Sequence, residues 1–214
     1  SPNMTCTRAQ IVAFLWRSEK SPAAGTANPF ADVKSTAYYA DAVLWAVKEN
    51  ITKGTTNTTF SPAGPLTRGQ VVAMLYRMAG SPAVTANTTG FSDVDNGAYY
   101  ADAVKWASGK EIVGGYADGT FAPNRAITRE QLAAILYRYA KANGADISVG
   151  EDTNLLSYKD FQSVGQYAVP ALQWAVGSGL IGGTTNAMLS PKGTATRAQA
   201  AVILVRFVGM TAAK

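Results

Sequence analysis

A pattern that recurs three times along the chain constrains its fold more than any other feature of the sequence. Each copy has a tryptophan, a tyrosine seven residues before it and a glycine nine residues after it; the tryptophans are Trp45, Trp106 and Trp174, and the glycines are Gly54, Gly115 and Gly183. A Thr-Arg-x-Gln tetrad closes each copy. Self-similarity at a fixed spacing indicates a repeat architecture, in which each unit buries its apolar face against its neighbours.

The tetrads define the domain organisation. Their arginines are Arg68, Arg129 and Arg197, and a fourth tetrad with Arg8 lies near the start of the chain, so that the intervals are 60, 61 and 68 residues. We therefore predict the tail of a preceding repeat at 1–25, repeats at 26–85 and 86–148, and a divergent repeat at 149–214, all packed as one domain. The polar stretch from Asn143 to Asn154 accounts for the longest interval and is typical of a surface loop.

Each unit is predicted to be helix, loop, helix, which makes the fold mainly α. An alanine-rich amphipathic segment surrounds each tryptophan and favours a short helix. About twenty residues rich in Gly, Asn and Pro follow and predict a loop with short β-bridges. The second helix begins at the tetrad and is predicted to extend to about Met78, Ala140 or Val208. Pro170 falls in the first turn of the third tryptophan helix, where proline is tolerated.

The composition excludes several classes of chemistry. The chain has no histidine and one cysteine, so neither a Ser-His-Asp arrangement nor the usual His/Cys zinc site can form. We predict no catalytic group, no cofactor and no metal. A net charge of +5 favours an anionic partner. The basic residues are spread along the repeats, which does not favour nucleic acid, and the absence of an apolar run of about 18 residues predicts no membrane insertion.

The tetrad combines a cap with an unexplained arginine. Thr67 and Gln70 have the spacing of a capping box at a helix start. An arginine at the first helical position is disfavoured by about 0.3–1 kcal/mol because it lies at the positive end of the helix dipole. Arg68 and its counterparts, with free backbone amides beside them, therefore suggest an anion site. The alternative is a structural ion pair with a loop carboxylate, namely Asp32, Asp93 or Asp160. A second arginine nine residues later suits the dipole and needs no further explanation.

The tryptophans and glycines also allow two interpretations. A tryptophan on an amphipathic helix is more often part of the core than a platform for a ligand. The glycines are expected at turn positions that need a positive φ, and a glycine also lets a ligand approach the backbone.

Together these residues resemble S-layer homology repeats. The resemblance rests on Phe-x-Asp-Val at Phe30 and Phe91, the Tyr and Trp of the first helix, the loop glycine, Phe-x-Pro, and the Ile-Thr-Arg-Glu-Gln of Ile127 to Gln131. It implies a pseudo-threefold arrangement of helix-loop-helix repeats around a central helical bundle. Four tetrad helices accompany three tryptophan helices here, and the sequence leaves open which tetrad helix is surplus.

The resemblance also implies a function. It suggests a non-catalytic module on the bacterial cell surface, outside the cell, whose grooves between repeats bind an anionic secondary cell-wall polysaccharide, often pyruvylated in this family. The arginines Arg68, Arg129 and Arg197, with Arg8 as a further candidate, would hold the anionic substituent, and the matching tryptophans and glycines would shape the groove. The alternative is a structural module that contacts other surface-layer proteins and binds no glycan.

Overall fold

The computed structural model describes residues 12, 27–37, 39–48, 50, 53–62, 64–148, 150, 152–183 and 187–194. Within them the chain forms the helices α1 (Ala40–Lys48), α2 (Arg68–Met78), α3 (Ala101–Gly109), α4 (Arg129–Ala142) and α5 (Val169–Gly177). Three 3₁₀ turns, Leu155–Ser157, Phe161–Ser163 and Gln166–Ala168, lead into α5. No strand occurs in these ranges, and isolated antiparallel bridges join Thr67 to Ala126 and Thr128 to Thr194. The prediction of a mainly α chain is confirmed.

The predicted capping boxes start α2 and α4. The Thr67 hydroxyl accepts a hydrogen bond from the Gln70 amide at 3.3 Å, while the Gln70 side chain accepts one from the Thr67 amide at 3.1 Å. Thr128 and Gln131 repeat both bonds. Such reciprocal bonds satisfy two amides that a helix start otherwise leaves unpaired. The equivalent tetrads at 7–10 and 196–199 lie outside the described residues. Pro170 lies in the first turn of α5, as predicted.

Helix packing crosses the boundaries between sequence repeats. The tetrad helix α2 packs against α3, the tryptophan helix of the next repeat, and α4 packs in the same way against α5. The ring of Tyr76 on α2 lies 5.4 Å from that of Trp106, and the ring of Tyr137 on α4 lies 5.6 Å from that of Trp174. The two helices of each packed pair therefore come from successive repeats.

The aspartate of the Phe-x-Asp-Val motif fixes the loop that follows the tryptophan helix. Asp93 accepts hydrogen bonds from the amides of Phe121 and Ala122 at 2.7 and 2.8 Å. Ala122 has a φ of 53°, and its counterparts Ser61 and Ser190 have 54° and 50°. A left-handed conformation costs a residue with a Cβ roughly 1–2 kcal/mol. The carboxylate stabilises that turn, and Asp32 and Asp160 do the same in the other copies.

The loop glycines are required for two different reasons. Gly54 has a φ of 78°, as expected, whereas Gly115 and Gly183 do not have a positive φ, so the expectation is wrong for them. In all three copies a Cβ would overlap an aromatic ring of the same repeat, that of Phe30, Phe91 or Tyr158. The absence of a side chain lets that ring pack against the loop backbone.

No helix in the described part of the chain has both the length and the apolar character needed to cross a membrane.

Candidate ligand-binding grooves

Two cavities of about 360 Å³ each lie at corresponding positions in successive repeats. The first groove is lined by Lys53, Gly54, Thr55, Thr56, Asn57, Gln70, Ala73, Met74, Arg77 and Tyr99. The second groove is lined by Arg68, Val113, Gly114, Gly115, Tyr116, Ala117, Gln131, Ala134, Ile135, Arg138 and Tyr167. A volume of this size is enough to hold a sugar residue or two.

Each groove lies where two repeats meet. The loop after the tryptophan forms one wall, and the tetrad helix of the same repeat contributes the capping glutamine and an arginine near its end. A tyrosine from the next repeat, Tyr99 or Tyr167, forms the opposite wall. A ligand in the first groove would therefore contact two repeats at once, and one in the second groove, which Arg68 of the preceding repeat also lines, would contact three.

Both grooves carry positive charge. The first is lined by Lys53 and Arg77 and the second by Arg68 and Arg138, and neither has a carboxylate among its described lining residues. A concave surface lined by one sign of charge concentrates ligands of the opposite sign. Arginine also matches a carboxylate or phosphate with two parallel hydrogen bonds. The arrangement is chemically suited to an acidic ligand.

The tetrad arginines hold the loop of the following repeat. Arg68 is 6% exposed, and its Nε and Nη2 donate to the carbonyls of Phe121 and Gly114 at 2.9 and 3.1 Å. Arg129 is 1% exposed and donates in the same way to Leu189 and Gly182, at 2.8 and 3.1 Å. These bonds use two of the five N–H donors of each guanidinium for contacts between repeats.

Burial also changes the electrostatics of these arginines. It lowers the pKa of Arg68, and it lowers the pKa of Arg129 to about 10 because the charged guanidinium is removed from water. Both stay charged at neutral pH. On Arg129, Nη1 is buried and has no hydrogen-bond partner among the described residues. On Arg68, no described residue accepts from Nη1, and this side chain reaches the second groove.

The helix starts contain neither the free amides nor the ion pair that the two interpretations expected. The amides of Arg68 and Gly69 donate to the carbonyls of Arg125 and Pro123 at 3.0 and 2.9 Å, and α4 repeats the pattern. The expected free amides are therefore not free, because the neighbouring repeat supplies their acceptors. The expected ion pair is also not formed at Arg68 or Arg129, because Asp93 and Asp160 bind loop amides instead. Contact of these arginines with a ligand stays a prediction.

The other predicted residues divide between core and groove. The tryptophans Trp45, Trp106 and Trp174 are 6%, 7% and 2% exposed and belong to the hydrophobic core. None of them lines either groove, so the tryptophans affect the grooves only through the helices that they anchor. Gly54 and Gly115 line the grooves, whereas Gly183 lines neither. Arg8 and Arg197 lie outside the described residues.

The second arginine of each repeat was missed as a candidate for ligand contact. Arg77 and Arg138 line the two grooves, although the helix dipole gave a sufficient reason for their presence. Tyr99 and Tyr167 line them as well. A signal was available, since the arginine follows the tetrad arginine by nine residues and the tyrosine precedes the tryptophan by seven in every copy.

The two grooves differ most in the loop wall. In the second groove the Tyr116 hydroxyl accepts a hydrogen bond from Gln131 Nε2 at 2.8 Å, and the guanidinium of Arg68 lies 5.1 Å from the ring centroid. Thr55 has the equivalent position in the first groove, where it bonds to Thr59 and Ser61 in its own loop. The second groove therefore has an aromatic wall, and the first has a hydroxyl-rich one.

The described chain is therefore built of helical repeats that pair with one another and have basic grooves between them. The model of the S-layer homology domain matches residues 29–72, 90–133 and 157–201, and the chain belongs to this family. Domains of this family are typically cell-wall anchoring modules of surface proteins.

The chain is also similar to longer curated proteins. It is 35% identical to an endoglucanase of Bacillus sp. (strain KSM-635) over 83% of this chain and 18% of that protein. It is 27% identical to the surface-layer 125 kDa protein of Lysinibacillus sphaericus, over 94% of this chain and 16% of that protein. A cellulosome-anchoring protein of Acetivibrio thermocellus is 27% identical over 72% of this chain and 34% of its own length. The chain spans a minor part of each relative. The family and the surface-layer relatives place it among cell-surface proteins.

Proposed function

We propose that this chain is a non-catalytic anchoring module that binds an anionic cell-wall polysaccharide in the grooves between its repeats. The observation that carries the proposal is the charge of the two grooves. Each is lined by two cations and by no carboxylate among the described lining residues. Family membership supports the anchoring role, and the cellulosome-anchoring relative bears that role in its name. The enzymes among the relatives match over a small share of their length, which supports a role separate from catalysis.

The arginines at the helix ends are the main ligand contacts in this proposal. Arg77 and Arg138 line the grooves, whereas the Nε and Nη2 of Arg68 donate to carbonyls of the next repeat. A carboxylate on the polymer, such as that of a pyruvate ketal, would accept paired hydrogen bonds from either guanidinium. Arg68 would add its Nη1 from the edge of the second groove. Tyr99 and Tyr167 offer an apolar ring face to the sugar.

The pairing of helices across repeats supports the pseudo-threefold arrangement around a helical bundle. In the described residues α2 pairs with α3 and α4 with α5, in both cases across a boundary between repeats. Val12, which corresponds to the fully buried Val72 of α2, is itself 0% exposed. We propose that the leading tetrad is part of the packed domain and completes the junction before the first full repeat.

Pelleting with purified wall sacculi tests the function. We expect the chain to sediment with intact sacculi and to stay in the supernatant when the acidic polymer has been chemically stripped. Arg77→Ala combined with Arg138→Ala should abolish most of the binding. The matched control is Lys110→Ala combined with Lys159→Ala, which removes the same charge from exposed positions that line neither groove.

The outcome separates the two candidate functions. Binding that survives stripping of the polymer and the loss of both arginines would favour a module that assembles with other surface-layer proteins. If the control variant loses binding to the same extent, binding depends on net charge alone and not on the two grooves. Removal of pyruvate alone from the sacculi shows whether that substituent is the anion that is bound.

A further inference from the structure

A buried carboxylate joins the wall of the second groove to the preceding repeat. Glu130, the second residue of α4, is 3% exposed. Its Oε1 accepts hydrogen bonds from the Tyr167 hydroxyl at 2.9 Å and from Lys192 Nζ at 2.6 Å, and its Oε2 accepts one from the Gly165 amide at 3.0 Å. All three donors belong to the third repeat, whereas Glu130 belongs to the second.

The contacts of Glu130 balance its charge. A buried carboxylate is costly unless donors and a counter-charge surround it, and Glu130 has both. Lys192, whose side chain is 58% exposed, neutralises Glu130 by this ion pair. As a result, the carboxylate does not reduce the positive charge that Arg68 and Arg138 give to the second groove.

The contact between the repeats 26–85 and 86–148 has no such carboxylate at the equivalent position. Gly69 has the position equivalent to Glu130, and a Cβ there would lie 3.1 Å from both the Tyr100 ring and the Pro123 carbonyl. The counterpart of Tyr100 in the third repeat is Ala168. The large Tyr100 therefore lies beside a glycine, whereas the small Ala168 corresponds to it where the glycine is replaced by Glu130. Gly97, the counterpart of Gly165, donates its amide to Asp95 of its own repeat at 2.6 Å.

The walls of the two grooves are held differently as a result. Tyr99 in the first groove is 62% exposed and contacts the Tyr100 ring edge-on at 4.9 Å. Tyr167 in the second groove is 49% exposed, and its hydroxyl is fixed by Glu130. A binding surface held in one geometry before the ligand arrives loses less entropy on binding.

We infer that Glu130 is a positioning residue that holds Tyr167 in place and thereby pre-organises the second groove for the acidic polysaccharide. The inference rests on the proposed function, since it assigns a role to Tyr167 in binding. It adds a difference between grooves that repeat symmetry alone does not predict.

Chemical nitration tests the positioning without any polysaccharide. Tetranitromethane attacks the phenolate form of tyrosine, and Tyr99 and Tyr167 are both accessible. Burial and the hydrogen bond to Glu130 raise the pKa of Tyr167, so we expect slow nitration of this residue. In Glu130→Gln the rate at Tyr167 should rise about tenfold for each unit by which its pKa falls. The rate at Tyr99, quantified by peptide mass spectrometry in the same sample, should not change and reports that the fold is intact.

Binding of purified acidic wall polymer then tests the consequence. In an Arg77→Ala background, which weakens the first groove, Glu130→Gln and Tyr167→Phe should each lower the affinity several-fold. The double variant should bind no more weakly than Tyr167→Phe alone, because residues that act through one another are not additive. Tyr76→Phe is the matched control, because its hydroxyl donates to the Pro82 carbonyl and lines neither groove, and it should leave this affinity unchanged.

Each outcome decides the inference. An unchanged nitration rate at Tyr167 in Glu130→Gln overturns it, whatever the polymer binding shows. Faster nitration with additive losses of affinity also overturns it, since Glu130 then acts by a route other than Tyr167. If the unmodified chain binds no polymer while the nitration result holds, the proposed function fails and the assigned role in binding fails with it. Faster nitration with non-additive losses supports the inference.

Discussion

The first and second grooves have the same scaffold and different linings. Both depend on a loop glycine under an aromatic ring and on a loop aspartate, and both end with an arginine near the helix C-terminus. The residues facing the cavity differ, with Lys53 and Thr55 in the first and Gly114 and Tyr116 in the second. In this chain, therefore, strict recurrence often marks a requirement of folding, and variation between copies marks the surface available for specificity.

The largest effect is expected from a helix-start arginine. Arg129→Ala removes two hydrogen bonds from a charged donor to loop carbonyls and leaves a cavity in the core. We expect a loss of about 4 kcal/mol in the free energy of unfolding. Arg138→Ala on the same helix should cost less than about 1 kcal/mol. Urea unfolding measures both, and equal costs would contradict the assignment of one arginine to folding and the other to the groove.

The loop glycines should show the next largest effects. Gly54→Ala combines a clash with Phe30 and a positive φ, so we expect a cost of about 3 kcal/mol. Gly115→Ala has the clash without the positive φ and should cost about 2 kcal/mol. Gly114→Ala is the control, because nothing lies within 4 Å of its Cβ position, and it should change stability by less than about 0.5 kcal/mol. Thermal or urea unfolding ranks the three; a reversed order would show that ring packing does not explain these glycines.

Polymer affinity should separate the two grooves. Loss of a charge-assisted hydrogen bond to the ligand corresponds to roughly 1.5 kcal/mol, or about tenfold in affinity. We expect Arg138→Ala to reach this value and Arg77→Ala to fall below it, because Glu130 holds Tyr167 in the second groove and Gly69 has the equivalent position beside the first. Calorimetric titration with soluble wall polymer gives both values. A larger loss for Arg77→Ala would reverse our ranking of the grooves.

Alkaline pH should reveal the held tyrosine through a smaller effect. Because the pKa of Tyr167 is raised by burial and by Glu130, the folded state keeps a proton that the unfolded chain releases near pH 10. The stabilising contribution is present below that value and is lost as the pH rises above it. Between pH 9 and 11 the unmodified chain should lose more of its free energy of unfolding than Tyr167→Phe does. Because the phenol is half-exposed, we expect this difference to be less than about 1 kcal/mol. Urea unfolding at both pH values checks this, and Tyr99→Phe should behave like the unmodified chain.

The helices and caps could be predicted from the sequence because their causes are local. The Thr-x-x-Gln spacing predicted where α2 and α4 begin, and the alanine-rich stretches around Trp106 and Trp174 predicted α3 and α5. Capping and helix propensity depend on neighbouring residues, so a single copy carries the information.

The site could be predicted only in part because its causes lie between repeats. The acceptors of Arg68 belong to residues 114 and 121, and the donors to Glu130 belong to residues 165, 167 and 192. Sequence spacing within one repeat does not reveal that α2 packs against the helix of the next. For this reason the sequence did not reveal that the helix-start arginine holds the next repeat, or that the helix-end arginine lines a groove.

In the proposed function the helix-end arginines hold the anion, whereas the helix-start arginines hold successive repeats together. Nitrogen-detected NMR of the arginine Nε–H groups, during titration with a pyruvate-bearing fragment of the wall polymer, tests it most directly. We predict saturable shifts at Arg77 and Arg138 and little change at Arg68, whose Nε already donates to the Phe121 carbonyl at 2.9 Å. Shifts at Arg68 with none at Arg77 or Arg138 would contradict the claim.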